Sequence, residues 1–182
     1  SDDGGGASSE RLLPGLILFH TGAGPQDAFL HWKADALVND VDTFGPGGCV
    51  VLIADLLSDG DGWAWDADRT RYNAAREEIM RRDDDGRGAT ARPELRRRVG
   101  AAIDAIRAQT GVDPDRIGAL GWCLGGHPIL EIASMDASGL RAVVTFHGVF
   151  DGVAAVPMGG GAKEGEEEVG ELDFDGGHRC AL

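Results

Sequence analysis

Four short apolar runs punctuate the chain, separated by polar or helix-patterned segments. Leu16-Ile17-Leu18-Phe19 follows Pro14-Gly15 and stops at His20-Thr21-Gly22-Ala23-Gly24, as a buried strand running into a loop does. Asp27 to Val38 reads as a helix with Ala28, Trp32, Ala36 and Leu37 near one face. The polar stretch Asn39 to Gly48, which holds Gly45-Pro46-Gly47-Gly48, reads as a loop. Cys49 to Ala54 is apolar throughout, the pattern of a parallel strand covered on both faces. Two strands joined through a helix make a βαβ unit.

Further on, Asp59 to Asp68 is an Asp- and Gly-rich loop whose Trp63 and Trp65 are expected to cover the core, and Arg81 to Gly88 is a charged turn. Pro93 opens a helix in which Leu95, Val99, Ala102, Ile103 and Ile106 recur at helical spacing, while Arg96, Arg97, Arg98 and Asp104 face away. Gly111 to Arg116 reads as a turn, Ile117 to Leu120 as a short strand, and Gly125 to Met135 as a helix with Pro128 in its first turn. Arg141 to Phe146 is the last apolar run and ends at His147-Gly148. The order β-α-β-loop-α-β-α-β predicts an α/β fold: three layers around a mostly parallel, doubly wound sheet.

Length and charge narrow this picture. The 182 residues suffice for one such core, expected over 11–157, with a disordered segment at 1–10 and an acidic Gly/Glu-rich disordered tail at 158–182. From Gly159 onward seven acids face two bases, so part of the formal charge of −14 belongs to that tail. Such a charge argues against nucleic acid, which needs clustered Lys and Arg. No apolar stretch reaches the roughly 20 residues of a membrane helix and no signal peptide is visible, so the expected location is the cytoplasm. Cys49, Cys123 and Cys180 form no CxxC pair and no even disulfide framework; Cys49 reads as a buried strand thiol.

The candidate chemistry lies in Gly121-Trp122-Cys123-Leu124-Gly125-Gly126-His127. Gly-x-Cys-x-Gly between a strand and a helix is the cysteine form of a nucleophile elbow, in which Cβ atoms two residues either side of the nucleophile would collide. The helix that follows aims free N–H groups and its positive end at the sulfur, favouring thiolate. The Leu124 N–H can then donate to an oxyanion, and a second donor is expected from the loop near Thr21 and Gly22.

Four stretches together resemble the dienelactone hydrolase family of α/β-hydrolases: Pro14 to Thr21 with Gly24 and Asp27, Val50 to Leu56, Gly121 to Gly126, and Ala142 to Gly148. The resemblance implies a Cys-His-Asp triad, no metal or organic cofactor, and hydrolysis of a carboxylic ester or lactone, a small-molecule substrate, through an acyl-cysteine. It assigns Cys123 as nucleophile and the Leu124 and Gly22 amides as oxyanion donors. His147 ends the last strand and is expected to line the site, whereas His20 and His127 read as packing or hydrogen-bonding residues. Thr21 stands where well-known members carry a glutamate, and Ser58-Asp59-Gly60 lacks the arginine they use for a substrate carboxylate.

The family places its Asp after a further strand and its His later still. Nothing after Pro157 reads as such a segment, and His178 has no strand to hold it. The sheet is therefore expected to lack its C-terminal strands, and its open apolar edge to promote self-association. The alternatives are a catalytically dead hydrolase-fold protein or defective gene product and, less favoured, a glutamine amidotransferase-like enzyme, whose C-terminal His-x-Glu is missing here.

Overall fold

The computed structural model describes residues 11–58, 69–83, 92–135 and 138–148. The strands are β1 (Leu13–Phe19), β2 (Val50–Ala54), β3 (Val112–Trp122) and β4 (Ala142–Phe146). They pair in the order β2-β1-β3-β4, every pair parallel. This is the expected mostly parallel sheet, and it has helices on both faces.

Alternation along β1 shows how the layers are made. Leu18 points to one face, where it packs with Trp122 and with Leu30 and Ala34 of α1 (Ala28–Val38). Ile17 and Phe19 point to the other face, into a larger core shared with α3 (Arg69–Met80), α4 (Pro93–Arg107) and α5 (Gly126–Ala133). A single turn, α2 (Val41–Phe44), interrupts the stretch read as a loop.

Several elements depart from the sequence reading. In α4 the five expected apolar positions are all buried. In α1 they are not: Leu30 and Ala34 are buried, whereas Trp32 is 61% exposed and Ala28 and Ala36 face solvent. Apolar residues lie on nearly every side of this helix, so spacing alone selects no face. Helix α3 escapes the sequence reading, because its arginines and glutamates hide the Tyr72, Ala75 and Ile79 that face the core. The expected turn at Gly111 to Arg116 is the start of β3, with a register shift that sets Leu13 opposite Val112 and Gly15 opposite Ile117. Strand β2 is covered on both faces as expected, with Val50 and Leu52 packed on the larger core and Val51 and Ile53 on the α1 side, although these four are only half-buried because β2 lies at the edge of the sheet formed by the described residues. On the opposite edge Val144 and Phe146 of β4 are exposed.

A buried ion cluster ties α5 to α4. Glu131 accepts from Arg92 Nη1 at 3.2 Å and Arg96 Nε at 2.6 Å; the Glu131 and Arg92 side chains are 5% and 4% exposed. Two guanidinium groups around one carboxylate replace the hydration that burial removes. Trp63, Trp65, His178, the charged turn beyond residue 83 and the two terminal segments lie outside the described residues.

Candidate active site

The elbow forms at the C-terminal end of β3. Strand β3 ends at Trp122, Cys123–Gly125 make one 3-10 turn, and α5 follows directly. Cys123 is half-buried with φ +53°, a left-handed conformation that costs a residue with Cβ about 1–2 kcal/mol.

The neighbouring glycines show why the turn needs this sequence. A Cβ on Gly121 would overlap the Gly125 carbonyl, and one on Gly125 would overlap the carbonyl of Phe19. A Cβ on Gly126 would come within 2.7 Å of Gly148 Cα, so this glycine lets β4 end against the first turn of α5. The contact of Gly125 with Phe19 also brings the loop after β1 beside the elbow. Register supports this, since Phe19 pairs with Gly121.

The loop after β1 is held at several points. His20 is fully buried; its Nδ1 lies 2.7 Å from the Thr21 carbonyl and its Nε2 3.2 Å from the Leu56 amide. A carbonyl only accepts and an amide N–H only donates, so His20 is the neutral tautomer with its proton on Nδ1. Burial pushes its pKa below 6.5 despite the bond to Thr21. With both ring nitrogens committed, His20 is not a base for the thiol, in line with the hydrogen-bonding role expected for it.

Thr21 Oγ1 donates to Asp27 Oδ2 at 3.1 Å and accepts from the Ala23 amide at 3.0 Å, while Asp27 Oδ1 caps α1 through the Phe29 amide. No acceptor takes the Gly22 N–H among the described residues. The hydroxyl of Tyr72 lies against Gly22, 3.0 Å from where a Cβ would stand. Sequence reading misses Tyr72; its clue is a lone tyrosine at core spacing in an otherwise polar helix.

The other candidates separate clearly. His127 is buried in the first turn of α5. His147 is exposed, one residue beyond the end of β4, with φ +40°. Cys49 Sγ donates to the Leu37 carbonyl at 3.3 Å, and burial, followed by the charge of Asp40, raises its pKa to about 11. That thiol is structural, as its place in the apolar run suggests.

The profile of the Dienelactone hydrolase family matches residues 13–162. The chain belongs to that family. Its sheet is therefore of α/β-hydrolase type, and the family is one of hydrolases. Two solved structures are similar at 32% identity. One, named m3DLH, has a TM-score of 0.57 and is covered over 50% of its length by 78% of this chain. The other, a dienelactone hydrolase-like promiscuous phosphotriesterase from metagenomic libraries, has a TM-score of 0.56, with 47% and 74% covered. An uncharacterized protein of Caenorhabditis elegans, K02A2.1, is 35% identical over 65 residues, 36% of this chain and 41% of that protein. The chain thus spans about half the length of the family structures it matches. Among the described residues no helix is long and apolar enough to cross a membrane.

Proposed function

We propose that Cys123 is the nucleophile of a hydrolase acting on carboxylic esters or lactones. Its thiolate attacks the carbonyl carbon; the Gly22 and Leu124 amides hold the resulting oxyanion, and the C–O bond breaks as the leaving oxygen takes a proton. Water then cleaves the acyl-cysteine, releasing the acid and restoring the thiol. The observation that carries this reading is the left-handed Cys123, raised on a strand-to-helix turn whose flanking glycines admit no Cβ.

His147 is the imidazole we place at this site. It follows Phe146, which pairs with Trp122, so it stands one strand over from Cys123, and unlike His20 it is exposed. Tyr72 supplies a hydroxyl beside Gly22. Cys123 itself opens the 3-10 turn that leads directly into α5.

The test is p-nitrophenyl acetate hydrolysis by the chain and by Cys123→Ala. Release of p-nitrophenolate that disappears in the variant is expected; equal release from both removes the assignment, and release by the parent no faster than in buffer alone favours a catalytically dead protein. A second substrate class is suggested by the relative described as a promiscuous phosphotriesterase. An activated phosphotriester should then modify Cys123 at the same elbow. The amidotransferase alternative has no support in the family assignment.

A further inference from the structure

We propose that His20, Thr21 and Asp27 are positioning residues that fix the direction of the Gly22 N–H. The inference rests on the reading of that amide as an oxyanion donor. The Thr21 carbonyl and the Gly22 N–H belong to one planar trans peptide, so whatever holds the carbonyl aims the N–H the opposite way. Two donors hold it: His20 Nδ1 at 2.7 Å and the Gly24 amide at 3.1 Å. His20 is in turn fixed from the far side by the Leu56 amide after β2.

The side chain of Thr21 completes the clasp. Its single hydroxyl accepts from Ala23 N–H and donates to Asp27, so the amides of Ala23 and Gly24 are both consumed by Thr21. Of the three successive amides, only that of Gly22 is left without an acceptor among the described residues. Asp27 is anchored independently by capping α1, which is packed on the sheet through Leu30 and Ala34. Without these contacts Gly22 would let the peptide rotate, because glycine accepts both halves of backbone space. A rotated peptide presents a carbonyl oxygen to the developing negative charge.

The role assigned to Thr21 is not that of an acid or base. Its hydroxyl is occupied in both directions and acts through the backbone, so the effect should appear only in reactions that generate an oxyanion. Two reagents on the same thiol separate the possibilities. Iodoacetamide alkylates Cys123 at a saturated carbon and needs no oxyanion donor; p-nitrophenyl acetate acylates it through a tetrahedral oxyanion.

In Thr21→Val, acylation of Cys123 should slow at least about tenfold, with kcat falling and KM nearly constant, while alkylation stays within about twofold of the parent rate. Thr21→Ser should restore acylation. If Thr21→Val melts before assay, Asp27→Asn gives the same comparison, because the amide keeps an oxygen for the α1 cap. Parent-like acylation in a folded variant overturns the proposal, and so does an equal loss in both reactions, which marks a general disturbance. If the parent chain alkylates but never acylates at Cys123, the site reading fails and takes this proposal with it.

Discussion

Cys123 and His147 are the two non-glycine residues with left-handed backbone among the described residues, and each follows one member of the paired strand ends Trp122 and Phe146. Strain of this kind persists only where the surroundings enforce it. For Cys123 the enforcement is α5, which begins before the chain can relax. Replacing Cys123 with glycine should therefore raise stability by about 0.5–1 kcal/mol while abolishing acylation. Thermal melts beside the ester assay check both; a lower melting temperature would show that the thiol packs better than its strain suggests.

The glycines of the elbow should differ sharply from Gly100. Gly121→Ala and Gly125→Ala place Cβ atoms on backbone carbonyls and should each cost about 3 kcal/mol or more. Gly100, in α4, has nothing within 4 Å of where a Cβ would stand, so Gly100→Ala should stabilise by roughly 0.5–1 kcal/mol. Urea unfolding of the three variants provides the comparison.

Stability should fall in acid in two stages. The native His20 has its pKa depressed below 6.5, so the unfolded chain takes up a proton that the native one refuses. The resulting stability is full above pH 6.5 and declines as pH drops below it, by at most about 1.4 kcal/mol per unit. Glu94 follows: the bond from Arg97, then that from Arg98, lowers its pKa from 4.5 to about 2, so its contribution fades between those values. His20→Gln should flatten the first stage and leave the second. Unchanged acid sensitivity near pH 6 in that variant would contradict the tautomer assigned to His20.

Breaking the buried cluster should cost more than breaking the exposed one. Glu131→Ala leaves Arg92 charged, buried and without that carboxylate, an expected loss of about 3–5 kcal/mol. The Arg97–Glu94 pair, with Arg97 63% exposed, should be worth less than about 1 kcal/mol and should weaken with salt. Chemical denaturation at two salt concentrations distinguishes the two.

The elbow is legible in the sequence because its demands are local. Gly121, Cys123 and Gly125 are fixed by collisions within one turn, and α4 is legible because its five apolar positions fall on one stripe. What escapes depends on distant partners. Nothing near Gly126 in the sequence announces that Gly148 packs against it, and nothing near Gly22 announces Tyr72. Helix α1 fails differently: with apolar residues on all sides, its buried face is chosen by Leu18 and Trp122 across the sheet, not by its own periodicity.

Among the described residues, β3 and β1, which end at the Cys123 elbow and at the Thr21–Gly24 loop, are the two strands with hydrogen-bonded neighbours on both sides. The margins, β2 and β4, take up whatever happens at the ends of the sheet. A strand gained or lost at either margin alters one outer ladder and leaves the β1–β3 register, Phe19 against Gly121, as it was. The Cys123 thiol and the loop after β1 thus share an internal frame of reference, while the periphery is free to diverge in shape and partner without changing their separation.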